Sequence, residues 1–415
     1  MKFLVLDLGL FVEEANALSD NGKNKVYYYT PWQTAFPKFQ DYAIGKDFEH
    51  LEKILYFFDY IEEADCIVNF DVHFNDLIVF LKKQYPDKSI FGSGIGEMLE
   101  NERWSLKQML SEINLPVQET VKITGLSALK EYIKENPNKY IKFDIFRHDI
   151  SSFHAKDYKS SELLFDEIAS MLGPFKEDYD FIVEDYIDTD VEPGVDTFFW
   201  GEDYVSPIIY GYEYSKACYL GKVCEKFEDL PYPLKETLEK LRPVLKEMDY
   251  RGALSTEEKV LSEKEHYFLD FCARLPNPLG HLYPVIIKNW PEVIYKIGLK
   301  QSVKLDIPYK YVGAVPIHCS HAEKNWVKLI VDKKDREYIR FISVAGSSNK
   351  EYFAVKGNPT VAVVVYGGNS IEEVVDNLEK YSEKISGYGL ETDTINGLIK
   401  IKEIIEKGKK VGINF

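Results

Sequence analysis

The stretch YFLDFCARLPNPLG, residues 267–280, decides the fold. Asp270, Cys272 and Arg274 alternate with apolar residues and then run into a Pro-Asn-Pro-Leu-Gly turn. Period-two alternation puts these three polar side chains on one face of a strand. The preceding run, RGALSTEEKVL, has strand character too, and a turn at Ser262–Glu265 folds the two together. Positions whose numbers sum to 527 then oppose each other, which pairs Glu257 with Asp270. Two carboxylates side by side on paired strands repel unless a cation sits between them. The expected ion is Mg²⁺. A one-residue slip would turn Glu258 inward in place of Glu257.

Working outward, 178–199 (DYDFIVEDYIDTDVEPGVDTFF) places an apolar strand, an acid pair, a short loop, another acid and another strand close together. KYIKFD, residues 139–144, holds Lys142 inside an apolar strand. A cation for phosphates, a carboxylate followed by backbone groups for an adenine edge, and a second carboxylate for ribose hydroxyls together describe a nucleotide site.

The amino-terminal region alternates strand and helix: strands at 2–9, 25–30, 66–72 and 89–92, helices at 47–61 and 75–85. That alternation predicts an open, mostly parallel sheet of about four strands. Two helices are expected between 94 and 135, broken at Pro116, and further helices at 233–248, 287–299 and 370–389. The aromatic run Tyr56, Phe57, Phe58 and Tyr60 reads as core, PWQTAFP (31–37) as a loop packing on the first sheet, and KIKEIIEKGKK near the carboxy terminus as a solvated helix face.

Composition bounds the function. At 415 residues, two to four domains are expected. Hydrophobic residues are 45% and charged residues 29% of the chain, which excludes wholesale disorder. A net charge of -17 argues against duplex nucleic acid as the main partner. Five scattered cysteines without CxxC spacing suit a reducing compartment, so a cytoplasmic location is expected. Asp7 interrupts the opening apolar stretch, which therefore reads as a strand and not a leader, and no run is long and apolar enough to span a membrane. His318, Cys319 and His321 lack a fourth ligand at zinc spacing.

The order of these parts resembles the ATP-grasp superfamily, most closely its phosphoribosylamine-glycine ligase (glycinamide ribonucleotide synthetase) branch. IFGSGIGEMLENERWSLKQML (90–110) is similar to that branch's "FGPS, LE, SK, K" segment, with Arg103 at its first lysine and Lys107 at its second. IVEDYIDTDVEPGVDTFF is similar to its "VEEF, GPE, S, VD" run, and YFLDFCARLPNP to "EFNVRFGDP". The resemblance implies an α/β and α+β multidomain chain: an amino-terminal parallel-sheet (pre-ATP-grasp) domain at 1–93, a linker helix at 94–118, a small lid subdomain at 119–190, a large ATP-grasp subdomain at 191–303, and a carboxy-terminal β-rich domain at 304–415.

The resemblance also implies ATP and Mg²⁺ as cofactors. Lys107 and Lys142 would contact nucleotide phosphates, Glu184 and Asp185 with the backbone of Tyr186 and Ile187 would sit at the adenine edge, and Glu192 would bind ribose. Glu257 and Asp270 would hold the metal, with Cys272 at the family's asparagine position, and Arg274 would be the catalytic arginine. The implied activity is an ADP-forming C–N ligase that joins a small-molecule carboxylate, glycine or another amino acid, to a small amine through an acyl phosphate. The alternatives on the same fold are a nucleotide-binding relic without turnover and an ATP phosphotransferase. A monomer and a dimer are equally compatible with the sequence.

Three departures stand out. The loop after Lys142, FRHDISSFHAKDY, has no glycine; Arg147, His148, Ser151 and Ser152 would replace its backbone cradle by side chain, and His154 follows them. The turn after the first strand, glycine-rich where the family holds a phosphate, reads DLGLFVEEA. A thiol at 272 is a poor ligand for Mg²⁺.

Overall fold

The computed structural model describes residues 1–31, 43–46, 48–145, 152–214, 218–276, 278–347, 351–392 and 395–415. Arg147, His148 and Ser151, and all of PWQTAFP but Pro31, lie outside these residues.

Five parallel strands form the amino-terminal sheet, in the order Leu51–Ile54, Lys25–Tyr29, Lys2–Leu6, Cys66–Asn69 and Ser89–Phe91. Its inner strands are buried along almost their whole length, as in a parallel sheet covered on both faces. The helix Trp290–Gly298 closes one face against Ser89–Phe91. A Cβ at Gly298 would lie 2.8 Å from the Ile90 amide nitrogen, so this crossing needs a bare backbone.

The helix expected at 47–61 is absent. Leu51–Ile54 is instead an edge strand parallel to Lys25–Tyr29, followed by a 3₁₀ turn at Phe57–Tyr60. A short apolar run fits either period, and an available sheet edge decided it. The aromatic run is correspondingly split. Phe57 and Tyr60 pack on Tyr29 and Tyr27, whereas Tyr56 (72% exposed) and Phe58 (65%) face outward.

Between 94 and 135 the helices Arg103–Glu112 and Leu126–Glu135 flank a strand, Thr120–Thr124, that the sequence did not suggest. This strand opens a four-stranded antiparallel sheet with Asp180–Asp185, Lys139–Phe143 and Ser152–Ala155. Leu129, Ile133, Phe165 and Ile168 of two helices bury against one face of it. The other face is left for polar work.

The central sheet has eight strands, all antiparallel, in the order Glu265–Cys272, Arg251–Ser262, Pro193–Trp200, Ile208–Tyr214, Cys218–Cys224, Tyr311–His318, Thr360–Gly368 and Ile339–Phe341. It runs without interruption across residue 304. A second five-stranded sheet takes Ala43–Ile44 from the amino-terminal region together with strands between Val327 and Ser386. The last helix, Ile395–Lys410, lies on Ile208–Tyr214 and Cys218–Cys224. No helix among the described residues is long and apolar enough to cross a membrane.

Candidate functional site

The hairpin has the expected register where it matters. Glu257 opposes Asp270, Thr256 opposes Phe271, and Ser255 opposes Cys272. Beyond Glu257 the register shifts, because Glu258 opposes Phe268 and Leu269 is left as an extra residue. Glu258 therefore points away from Glu257's face, into the layer behind the sheet, where its carboxylate meets His266 Nδ1 at 3.1 Å.

Across from the hairpin stands the polar face of the four-stranded sheet. Lys142 Nζ donates to Asp270 Oδ1 and Oδ2, both at 3.0 Å, and to the Leu269 carbonyl at 3.3 Å. It also lies 3.3 Å from Glu184 Oε2. Lys107, from the helix Arg103–Glu112, lies 2.8 Å from Glu184 Oε1 and donates to the Gln118 side chain at 3.1 Å and the Phe268 carbonyl at 3.3 Å. Arg103 adds a third cation, 3.9 Å from Asp270.

The electrostatics follow from enclosure. Burial pushes the Glu184 carboxyl up, but Lys142 and then Lys107 more than offset it and hold it below the usual carboxylate range. Asp270 behaves alike: enclosure pushes it up, and Lys142, Arg103 and Lys107 bring it below its ordinary value. Its side chain keeps 40% exposure to the cleft. Burial dominates at Lys107, whose pKa is lowered in spite of Glu184. Glu257 goes the other way. Burial and then Glu192, Asp270 and Glu213 push its carboxyl well above the ordinary value.

Apart from the buried Lys107, these groups line one cavity of about 840 Å³. Its walls include Arg103, Lys142, Glu184 to Ile187, Glu192, Glu213, Glu257, Lys259, Asp270 and Arg274. Tyr186 and Ile187 form the strap between the small and central sheets, and Ser152 lines the opposite lip. The His154 ring stacks on Tyr186 at 3.9 Å between centroids, with the planes 5° apart.

Several expected side chains are already engaged. Glu184, expected at an adenine edge, is 1% exposed and committed to two lysines. Asp185 is paired with Lys139, and Glu192 lies 2.6 Å from Lys259. Arg274 Nε donates to Glu100 Oε1 at 3.0 Å and lies 4.0 Å from Asp71. Glu100 also accepts the Ala273 amide at 2.7 Å.

Cys272 is not brought to the cavity. It faces Ser255 one rung beyond Glu257, its Sγ contacts the Arg274 carbonyl at 3.8 Å, and burial pushes its thiol pKa well above the ordinary value. A neutral thiol is no Mg²⁺ ligand. His318, Cys319 and His321 are likewise engaged by Thr360, the Tyr388 carbonyl and the Tyr388 ring. Among the described residues no three His, Cys, Asp or Glu side chains converge as a closed metal cage. Glu257 and Asp270 do fit a partly hydrated ion: Mg²⁺ usually takes one or two carboxylates and fills its remaining positions with water and phosphate oxygens. A dication there would offset the burial and the neighbouring carboxylates that raise the Glu257 pKa.

Sequence reasoning missed Glu213, Lys259 and the carboxy-terminal helix. Lys259 was accessible, because extending the period-two rule from Glu257 puts it on the same face. The helix was not: Lys400, Glu403, Ile404 and Lys407 line the cavity, and Lys407 pairs with Asp190, so the run read as a solvated face is part of the wall.

No family model and no curated protein sequence matches the chain. Solved structures do match. Phosphoribosylamine–glycine ligase from Thermotoga maritima superposes with a TM-score of 0.66 at 14% identity, over 94% of this chain and 98% of that one. The biotin carboxylase domain of 2-oxoglutarate carboxylase from Hydrogenobacter thermophilus, solved with MgADP, ADP and bicarbonate, gives 0.68 at 11% identity, over 99% and 98%. N5-carboxyaminoimidazole ribonucleotide synthetase from Thermotoga maritima gives 0.61 at 13%, over 93% and 99%. The chain thus has the ATP-grasp fold over nearly its whole length.

Proposed function

We propose that this protein is an ATP-dependent ligase that joins a small carboxylate to an amine, with an acyl phosphate as intermediate. The observation that carries this is the convergence of Lys107 and Lys142 on Glu184 and Asp270, with Asp270 directly opposite Glu257, at one cleft between two sheets. Similarity to solved ATP-grasp enzymes supports ATP use.

In this reading the backbone at Tyr186 and Ile187 receives the adenine, Glu192 and Lys259 face the ribose, and Glu184 holds the two lysines in place. Lys142 and Lys107 then meet the phosphates. Asp270 and Glu257 would hold Mg²⁺, which supplies charge neutralisation on phosphate oxygens as the γ-phosphoryl group transfers. Arg274, steadied by Glu100, faces the charge that develops on the transferring phosphoryl and the tetrahedral centre. A carboxylate oxygen attacks the γ-phosphorus and ADP leaves. The amine nitrogen then attacks the carbonyl carbon, loses a proton and expels phosphate.

The experiment is an ADP-release screen of carboxylates crossed with amines, with mass spectrometry on each hit. An amide product supports the reading. A phosphorylated acceptor with no amide would assign phosphotransfer instead, and MgATP binding without turnover across the panel would mark a nucleotide-binding relic.

A further inference from the structure

In an open parallel sheet the crevice beyond the carboxyl ends of the strands opens where the strand order reverses. Here that point lies between Lys2–Leu6 and Cys66–Asn69. Asp7 follows the first of these strands; Asn69 ends the second and Asp71 lies just beyond it. Asp7 is 1% exposed; its Oδ2 accepts from the Tyr28 hydroxyl at 2.6 Å and the Phe11 amide at 3.0 Å, and its Oδ1 has no partner. At the same edge Asn69 Oδ1 and Ser93 Oγ, on residues that are more than nine-tenths buried, also lack partners. Three such atoms at one sheet edge call for bound molecules.

The charge of this edge selects what binds. Asp71 lies 3.1 Å from His73 and 4.0 Å from Arg274, so the edge adjoins the end of the cavity walled by Glu100 and Arg274. Asp71 and Glu14 are among the charges that act on Asp7. A phosphate would need the reverse arrangement: free amides in the turn after the first strand, and unpaired cations. The Phe11 amide is already taken by the Asp7 carboxylate, and two glutamates follow it. Arg336 and Arg340, which reach this turn, are both committed to Glu13.

Resting on the ligase reading above, we propose that the amine acceptor is an unphosphorylated compound with two amino groups, held at the Asp7–Asp71 edge. One group stays an ammonium against these carboxylates. The other, neutral, forms the new C–N bond as the carbonyl–phosphate bond breaks, and its proton leaves to solvent. The acids after the first strand thus replace a phosphate-binding turn by an ammonium-binding one.

Isothermal titration on the full chain tests this, with MgADP and without it. The probes are 1,4-diaminobutane, 1,5-diaminopentane, ornithine and lysine against ribose 5-phosphate. At least one diamine should bind in the presence of MgADP, ribose 5-phosphate should not, and Asp7→Asn should weaken the diamine by roughly tenfold, about 1.4 kcal/mol, with MgADP affinity kept. Binding of ribose 5-phosphate, no binding of any diamine while MgADP binds, or an Asp7→Asn variant that folds and binds the diamine unchanged overturns this inference alone. Failure of MgADP to bind overturns the ligase reading instead.

Discussion

The Lys142 ammonium is equidistant, at 3.0 Å, from the two carboxylate oxygens of Asp270, and so ties the small sheet to the hairpin of the central sheet. It also compensates Glu184, which is buried and has Lys107 as its other cation. Lys142→Ala should abolish ADP release and, by leaving a buried carboxylate short of one partner, lower stability by about 3 kcal/mol. Denaturant unfolding and turnover measured on the same preparation check both effects. Full turnover would remove Lys142 from the phosphate site.

Arg274 joins chemistry to folding. Glu100 keeps the Ala273 amide when the guanidinium is gone, but Glu100 and Asp71, both buried, lose their shared cation. Arg274→Ala should reduce kcat roughly a hundredfold or more, about 3 kcal/mol of barrier, and also lower the melting temperature. Single-turnover ADP release reads the first effect and thermal denaturation the second.

The metal assignment separates three neighbours on one strand pair. Glu257→Gln and Asp270→Asn should each raise the Mg²⁺ concentration for half-maximal turnover by about tenfold or more. Cys272→Ser should leave it within about twofold, because the thiol lies outside the cleft. A Mg²⁺ titration of the three variants checks this, and a large shift in Cys272→Ser would return the thiol to the site.

Asp7 gives a pH signature. Burial pushes its carboxyl up to about 6, against the hydrogen bonds from Tyr28 and Phe11, with Asp71 and Glu14 adding to the rise. The folded state therefore binds a proton that the unfolded chain releases near pH 4. The resulting stability is fully present below that pH and is lost as pH climbs to about 6, on the order of 3 kcal/mol in all. Asp7→Asn should remove this component, so its stability relative to wild type rises across that window. Urea midpoints from pH 4 to pH 7 measure it.

Much of the site was legible because it rests on strands. Alternation fixed which side chains share a face, and the pairing of Glu257 with Asp270 matches the turn-length count because the register shift between Val260 and Ser262 is offset by the one at Leu269. What escaped was set by partners distant in sequence. Leu51–Ile54 pairs as an edge strand because Lys25–Tyr29 offers it hydrogen bonds, which local periodicity does not encode. Cys272 obeys the alternation yet lies beyond the cavity, since its rung belongs to Ser255 and the buried Asp196 that lies near both. The carboxy-terminal helix looks solvated in isolation and becomes a wall only through docking on the central sheet.

The supernumerary Leu269 divides its strand into two segments with opposite pleat phase relative to the neighbouring strand. The segment after it serves the nucleotide cleft; the segment before it feeds His266, sandwiched between Glu258 and Glu236, into a separate interior layer. Excising that single leucine would realign the two segments, so that the acids could no longer face the cleft while His266 kept its glutamates. A one-codon deletion at this position would therefore be far more damaging than any substitution there, and the tolerance of the site to length change ought to be much lower than its tolerance to chemistry.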